Sequence, residues 1–442
     1  MKPRALVTTA RELLRQVLRF ELPADVVVSR YFRAHPQLGQ RDRHILAESI
    51  YQVVRHLRLY RHLAETAGGA LDLHLLALGW QADAQQLREA FPAELLDWRE
   101  KVLASDLSGL PVGLRYSLPD WMAQALQSRG DLGGGEFEAL AASLLQSAPL
   151  DLRVNLLKTT RDAARAELLG LGIEAQPMQY SPWGLRVEGK PALNRSEAFI
   201  DGAIEVQDEG SQLLALLLEP RRGEMVADFC AGAGGKTLAL GAMMRNTGRL
   251  YAFDVAEHRL SKLRPRLARS GLSNVYPVVI SHERDDRVQR LAGKLDRVLV
   301  DAPCTGTGTL RRNPDLKWRL GEADVPKLAA QQASILKAAA GLLKPGGRLV
   351  YATCSMFPAE NRQVVEQFLR ERPDFALQSA GEILAHQQIT IAQGSDGHML
   401  ELFPHRHNTD GFFAAVMQRS VEARAARPGA PMPSKKSDIG AP

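Results

Sequence analysis

Apolar residues recur every three or four positions through the first part of the chain, as one buried face of a helix requires. The apolar residues within 13–20 show this spacing, and so do those within 45–57. A glycine-rich segment at 130–140 interrupts the pattern. We therefore expect residues 1–135 to form an all-helical domain.

The pattern changes between residues 136 and 205, where alternating segments flank a single helical one. LDLRVNLL (150–157) alternates as a strand does, TTRDAARAELLGLG (159–172) has the form of a capped helix that ends at glycine, and WGLRVEG (183–189) alternates again. We expect a small α/β module here, of a type that binds RNA in many proteins.

From residue 206 to residue 420, short apolar runs alternate with helical segments. This predicts a Rossmann-like α/β domain with a mostly parallel, doubly wound sheet, whose ligands bind at the carboxyl ends of the strands. MLELFP (399–404) and GFFAAVM (411–417) should close the sheet as an antiparallel hairpin. The expected parallel strands are MVADF (225–229), RLYAFD (249–254), VYPVVI (275–280), DRVLVDAP (296–303) and RLVYATC (348–354).

Composition narrows the class of protein. The chain has 442 residues, 45% of them hydrophobic and 24% charged, which is typical of a globular multi-domain protein. No apolar run approaches the roughly 20 residues of a membrane helix, and the first residues lack the apolar core of a secretory signal. We expect a cytoplasmic protein without a membrane partner. The Pro-, Ser- and Lys-rich tail at 421–442 should be disordered. The scattered His398, His405 and His407 are not expected to form a metal site.

Charge and cysteine content add two expectations. The net charge of +6 is compatible with a polyanionic partner, and Arg11, Arg15 and Arg19 share one face of the first helix. The chain has three cysteines, and no two form a C-x-x-C pair. A disulfide framework or a structural zinc site is therefore not expected.

DFCAGAGGKT (228–237) follows an expected strand and opens an expected helix, where glycines let the backbone approach a ligand. A phosphate-binding loop requires glycine where Cys230 stands, and a dinucleotide loop requires glycine where Thr237 stands. S-adenosylmethionine, a nucleoside cofactor without phosphates, fits better. Asp254, at the end of the next strand, can accept hydrogen bonds from both ribose hydroxyls. A nicotinamide cofactor is the alternative.

DAPCTGTG (301–308) and ATCS (352–355) place Cys304 and Cys354 at the carboxyl ends of neighbouring expected strands. One free cysteine is usually a small core residue. Two cysteines on the ligand side of the sheet, beside Asp301, favour a catalytic role. Carbon 5 of cytosine is a poor nucleophile. A thiolate that adds to carbon 6 makes carbon 5 able to attack a methyl group, and a carboxylate can stabilise the N3-protonated ring.

On these motifs, residues 206–417 resemble the RNA cytosine-5 methyltransferase family. The matching segments are VQDEGSQL (206–213), DFCAGAGGKT, YAFD (251–254), DAPCTGTG, RRNPDLKW (311–318), LKPGGRLVYATCS (343–355) and DGFF (410–413). The helical part, with GQRDRHILAESIYQVVRH (39–56), resembles the NusB-like RNA-binding domain of the B branch of bacterial 16S ribosomal RNA methyltransferases. The resemblance implies S-adenosylmethionine as cofactor and small-subunit ribosomal RNA as partner, and we expect a monomer.

The resemblance also implies residue roles. The cysteine of the fifth-strand T-C motif, Cys354, is the family's nucleophile, and Cys304 of the P-C motif assists product release. The resemblance places Asp301 on the side of the pocket where the cofactor and the cytosine bind. The expected cofactor-binding residues are Cys230, Ala231, Gly232, Ala233, Gly234, Gly235, Lys236, Asp254, Glu283 and Asp301.

The third strand end departs from the family pattern. The family has an aspartate near the adenine there, whereas this chain reads SHERDD (281–286); Glu283 is our first substitute and His282 the second. A loop proline of the family is replaced by Ala233. A non-catalytic ribosome assembly factor is the rival function, and the intact cysteines argue against it. The basic residues expected to meet the RNA backbone are Arg311, Arg312, Lys317 and Arg319.

Overall fold

The computed structural model describes residues 1–189, 191–193, 196–391 and 397–421. Apart from residue 421, the tail expected to be disordered lies outside the described residues. The chain begins with helices, as the spacing of apolar residues predicts. They are α1 (Pro3–Val17), α2 (Ala24–Ala34), α3 (Gln40–Arg55), α4 (Leu57–Ala64), α5 (Leu71–Gly79), α6 (Ala84–Ala90), α7 (Ala93–Leu103), α8 (Val112–Arg115), α9 (Asp120–Gln127) and α10 (Glu136–Leu144).

Two separate cores hold these helices. The first joins α1 to α6 around side chains such as Leu13, Leu46 and Ile50, which are fully buried. The second joins α9 and α10 to residues far along the chain, among them Met356 and Phe357. The later helices of this region are therefore packed against the part of the chain that contains the expected active site.

A four-stranded antiparallel sheet follows, in the region where the sequence predicts a small α/β module. The strand order is β2-β3-β1-β4, and α11 packs on it through Leu168, which is fully buried with Leu152 and Leu185. The elements are β1 (Leu150–Val154), α11 (Arg161–Gly170), β2 (Ala175–Pro177), β3 (Gly184–Val187), α12 (Glu197–Ile200) and β4 (Ile204–Val206).

The remaining elements form a mostly parallel sheet with helices on both faces, which confirms the fold class expected from the sequence. They are α13 (Glu209–Leu218), β5 (Met225–Phe229), α14 (Gly235–Met243), β6 (Arg249–Asp254), α15 (Glu257–Ser270), β7 (Val275–Val279), α16 (Asp286–Gln289), β8 (Leu295–Asp301), α17 (Leu316–Arg319), α18 (Asp324–Ala340), β9 (Leu343–Thr353), α19 (Arg362–Glu371), β10 (Phe375–Gln378), α20 (Ala380–Ala385), β11 (Leu400–Leu402), α21 (Pro404–His407) and β12 (Phe412–Arg419).

The strand order is β10-β12-β9-β8-β5-β6-β7, with β11 paired to β12. Strands β5 to β9 pair in parallel, and β12 is antiparallel to β9 and β11. The order reverses between β5 and β8, and such a reversal opens a crevice at the carboxyl ends of the strands. Among the described residues, no helix is both long and apolar enough to cross a membrane.

Candidate active site

A cavity of about 720 Å³ opens at this reversal of strand order, which is a size suited to a small organic ligand. Its wall is formed by the residues that follow β5, β6, β8 and β9, together with segments at 206–211 and 410–412. The expected site residues on the wall are Cys230, Ala231, Gly232, Ala233, Gly235, Lys236, Asp254, Glu283, Asp301, Cys304 and Cys354.

The loop between β5 and α14 is shaped by backbone that favours glycine. Gly232 and Gly234 have φ of 57° and 81°, and a Cβ on Gly232 would meet no atom within 4 Å. A Cβ on Gly234 would lie 2.1 Å from Leu263 Cδ1. Gly232 thus leaves open space beside the ligand, whereas Gly234 permits close packing of the loop on α15 and faces away from the cavity wall.

Asp254 ends β6 with its side chain only 1% exposed. Its Oδ2 accepts a hydrogen bond from the Gly232 N–H at 2.8 Å. Its Oδ1 accepts from the Ala256 N–H at 2.7 Å and pairs with Arg259 Nη2 at 3.0 Å. The carboxylate therefore holds the glycine loop against β6, on the part of the wall where the sequence predicts a ribose.

Lys236 and Asp301 form an ion pair inside the cavity. Lys236 Nζ lies 2.8 Å from Asp301 Oδ2 and 5.7 Å from the ring centroid of Phe412. Burial alone would lower the pKa of Lys236, but the Asp301 carboxylate outweighs it and holds that pKa above its ordinary value. A cation and an anion are thus fixed side by side at the start of α14 and the end of β8.

Behind the glycine loop lies Asp228, a fully buried carboxylate to which the sequence assigns no role. Its Oδ2 accepts a hydrogen bond from Thr237 Oγ1 at 2.6 Å, and its Oδ1 has no hydrogen-bond partner in the described part of the chain. Burial raises the pKa of Asp228 to about 7. Its contact with Thr237 joins the end of β5 to the start of α14.

The two expected catalytic cysteines face each other, with 3.4 Å between Cys304 Sγ and Cys354 Sγ. The Gly308 N–H also donates to the Cys354 carbonyl at 2.8 Å. The hydrogen bond to Cys354 and burial raise the pKa of Cys304 well above its ordinary value. The third thiol is different: Cys230 packs against the hydrophobic core under the sheet, and burial raises its pKa too.

An Arg–carboxylate cluster, defined as Asp208, Arg312 and Asp410, forms the opposite wall. Arg312 Nη2 lies 2.9 Å from Asp208 Oδ2, and Arg312 Nε lies 2.5 Å from Asp410 Oδ2. Burial and the neighbouring Asp208 raise the pKa of Asp410. The Gly411 N–H donates to the Gly308 carbonyl at 2.8 Å, so the cluster is joined by backbone to the cysteine loop.

Glu283 and His282 lie differently. Glu283 is on the cavity wall, where one carboxylate oxygen accepts a hydrogen bond from Ser334 Oγ at 2.6 Å. His282 is exposed, and its Nδ1 accepts from the Arg284 N–H at 3.1 Å. The geometry therefore favours Glu283 over His282 as the residue that could meet an adenine.

The expectation that the basic segment after the catalytic loop meets RNA is wrong for two of its residues. Arg311 and Lys317 are 5% and 2% exposed. Lys317 Nζ donates to the Arg55 carbonyl at 2.7 Å, and Arg55 Nη2 donates to the Arg311 carbonyl at 2.9 Å. Trp318 Nε1 donates to the Val54 carbonyl at 2.8 Å. This segment is bound by α3 rather than left for phosphate.

The other two basic residues are already paired. Arg312 belongs to the Arg–carboxylate cluster, and Arg319 Nη1 lies 3.3 Å from Asp315 Oδ2. Among the late histidines, His398 is exposed. The His405 side chain is only 6% exposed and lies 2.6 Å from Glu136, and His407 is buried. The described residues contain no group of histidines, cysteines and carboxylates that could hold a metal ion.

Two family models match this chain. Residues 215–418 match 16S rRNA methyltransferase RsmB/F, and residues 118–194 match the ferredoxin-like domain of RsmF/B-like methyltransferases. Among solved structures, PH0851 is similar with a TM-score of 0.76 and 27% identity, over 94% of this chain and 98% of that one. A methyltransferase homologue from Pyrococcus horikoshii has a TM-score of 0.59 and 30% identity, over 71% and 100% of the two chains.

Two curated relatives match along nearly their whole length. The chain is 33% identical to the probable ribosomal RNA small subunit methyltransferase B of Synechocystis sp., over 92% of this chain and 98% of the relative. It is also 33% identical to ribosomal RNA small subunit methyltransferase B of Sodalis glossinidius, over 96% and 91% of the two chains. This similarity spans the helices, the small module and the cavity with its two cysteines. The chain therefore belongs to the RsmB/F family of small-subunit ribosomal RNA methyltransferases.

Proposed function

We propose that this enzyme transfers a methyl group from S-adenosylmethionine to carbon 5 of a cytosine in 16S ribosomal RNA, through a covalent bond between Cys354 and carbon 6. The observation that carries the proposal is the pair of thiols 3.4 Å apart at the ends of β8 and β9. Transfer to an exocyclic amine needs no thiol, whereas carbon 5 must first be made nucleophilic.

The cavity residues fit the cofactor. Open space beside Gly232, the buried Asp254 carboxylate and the exposed backbone of residues 230–233 make a cradle for a nucleoside without phosphates. Asp254 would hold the ribose and Glu283 the adenine, and Gly234 would keep the loop close to α15. When bound, S-adenosylmethionine supplies an electrophilic methyl group.

The side chains around the thiols divide the reaction between them. The Cys354 thiolate adds to carbon 6, while Asp301, held by Lys236 at 2.8 Å, binds the amino group and N3 of the ring. Carbon 5 then takes the methyl group. Water takes the proton from carbon 5, the electron pair of that bond re-forms the ring double bond, the carbon–sulfur bond breaks, and Cys354 leaves as thiolate. Cys304, held as a thiol by burial and by its hydrogen bond to Cys354, assists this last step.

Alanine variants of the two cysteines test the division of roles. Cys304→Ala keeps the nucleophile, so we expect methyl transfer followed by a stalled protein–RNA adduct that survives denaturing electrophoresis. Cys354→Ala should form no adduct and no 5-methylcytosine. The assay uses 16S ribosomal RNA and tritiated S-adenosylmethionine. Cys230→Ala is the control for loss of a thiol on the cavity wall outside the Cys304–Cys354 pair: weaker cofactor binding would slow its turnover, but it should accumulate no adduct.

Two results would contradict this assignment. An adduct in Cys354→Ala alone would mean that Cys304 is the nucleophile. Methylation retained in both variants, with no adduct in either, would exclude a thiol mechanism. Bisulfite sequencing of the product identifies the modified base, and a label found on an exocyclic nitrogen would refute carbon 5 as the target.

A further inference from the structure

Glu360 is a fully buried carboxylate just beyond the second cysteine, in a single 3-10 turn formed by Pro358–Glu360. In the described part of the chain its side chain has neutral partners. A buried carboxylate without a cation is costly unless hydrogen bonds satisfy its oxygens. The hydrogen-bond donors to the Glu360 carboxylate therefore indicate the role of this residue.

Four hydrogen bonds meet the Glu360 carboxylate, and they come from three places in the sequence. Oε1 accepts from the Thr305 N–H at 2.9 Å and from Gln332 Nε2 at 2.9 Å. Oε2 accepts from Thr305 Oγ1 at 2.5 Å and from Ser355 Oγ. Thr305 directly follows Cys304, and Ser355 directly follows Cys354. One carboxylate thus binds the residue after each thiol.

Neighbouring contacts reinforce this arrangement. The hydroxyls of Thr305 and Ser355 lie 3.1 Å apart. Gln332 Nε2 also donates to the Pro303 carbonyl at 2.9 Å, on the other side of Cys304. Asn361 Nδ2 donates to the Ser355 carbonyl at 2.8 Å. The two cysteine loops are therefore held by one buried polar network centred on Glu360.

We propose that Glu360 is a positioning residue that fixes the separation and orientation of the Cys304 and Cys354 thiols. Its negative charge has a second effect, because it acts on Cys304 in the same direction as burial and favours the protonated thiol. Glu360 thereby helps to keep Cys304 as a thiol. The inference rests on the proposed function of the two cysteines.

Glu360→Gln in the full-length protein tests the proposal, since it keeps the shape and removes the charge. The side-chain carbonyl of the new glutamine could still accept from the Thr305 N–H. Its NH2 group, however, would face the hydroxyls of Thr305 and Ser355, which would have to become acceptors instead of donors. We expect kcat for RNA methylation to fall about 10–100-fold, as for a small misplacement of reacting groups. KM for RNA and for S-adenosylmethionine should be unchanged, because Glu360 is not on the cavity wall.

A second measurement tests the effect of the Glu360 charge on Cys304 and requires no RNA. In a Cys354→Ala background, peptide mass spectrometry gives the rate of Cys304 alkylation by iodoacetamide between pH 7 and 11. Adding Glu360→Gln should move the midpoint of this profile down by roughly one pH unit. Glu209→Gln is the matched control: Glu209 is equally buried and accepts from the N–H groups of Tyr180 and Ser181. It should leave the profile unchanged.

Several outcomes would overturn the proposal. An unshifted alkylation profile with normal kcat in Glu360→Gln would do so, and so would an equal shift in Glu209→Gln. If Glu360→Gln does not fold, Ser355→Ala is the alternative variant, because it removes one of the four hydrogen bonds to the carboxylate and keeps the charge. It should lower kcat without moving the alkylation profile. An unchanged kcat would refute the positioning role. If the parent enzyme forms no 5-methylcytosine, the proposed function fails while the alkylation result still decides the role of Glu360.

Discussion

Lys317 is a lysine buried against the N-terminal helices, with its Nζ 2.7 Å from the Arg55 carbonyl oxygen and no carboxylate partner among the described residues. Burial, and secondarily the charge of Arg55, lowers its pKa well below the ordinary value. In the unfolded chain the same amine has a pKa near ~10.4. Between these two pKa values, the unfolded state binds a proton that the folded state lacks.

The sign of the resulting pH dependence follows directly. Stability rises with pH wherever the unfolded state binds more protons, by up to about 1.4 kcal/mol per pH unit for one group. Lys317→Met keeps the length of the side chain and removes this proton. We therefore expect the free energy of unfolding of the parent, minus that of the variant, to increase between pH 7 and pH 10. Loss of the bond to Arg55 adds an offset of about 1–3 kcal/mol that does not vary with pH.

Urea unfolding at several pH values measures this difference, with the slope m checked for constancy. Lys327→Met is the control, because the Lys327 side chain is 73% exposed and pairs at the surface with Asp324. Its difference from the parent should be flat across the range. A flat line for Lys317→Met as well would mean that Lys317 carries its proton in the folded protein, and the reasoning from burial would be refuted.

Two further predictions concern the cofactor loop. Asp254→Ala should weaken S-adenosylmethionine binding by roughly 1.5–3 kcal/mol, the scale of hydrogen bonds to a charged group, and an unchanged dissociation constant in calorimetry would contradict a ribose contact. Gly234→Ala should lower the midpoint of thermal unfolding and weaken cofactor binding, because its Cβ would lie 2.1 Å from Leu263 Cδ1 at a φ of 81°. Gly232→Ala, which meets open space, is the comparison for stability, and equal destabilisation would contradict the packing argument.

The parts of the site that could be predicted from the sequence lie on consecutive residues. A strand, a glycine turn and a helix are encoded within 228–237, so the position of the cofactor loop follows from local pattern. Cys304 and Cys354 stand at strand ends that a doubly wound sheet must bring together. The boundaries were less predictable: β9 begins at Leu343, before the expected start at residue 348, because its first residues bulge against β8.

What the sequence could not supply depends on contacts between distant segments. The run of Arg and Lys after Cys304 has the composition of an RNA-binding surface, but contacts with distant segments make two of its residues interior: Lys317 donates to the Arg55 carbonyl and Arg311 to the Thr409 carbonyl. Arg312 finds its carboxylates at Asp208 and Asp410, on segments about a hundred residues away on either side. The role of Glu360 is equally hidden, since its partners follow two cysteines on different strands.

The docking of α3 on the 311–318 segment bears on how the enzyme can be divided into fragments. Cutting before the parallel sheet would strip the Lys317 amine and the Trp318 indole of their acceptors at Arg55 and Val54. It would also leave the Asp315 carboxylate without the Ala24 N–H. These groups lie 11 to 14 residues beyond Cys304 in the chain. The smallest fragment that keeps these contacts is therefore larger than the parallel-sheet domain, because the N-terminal helices hold the segment that follows Cys304.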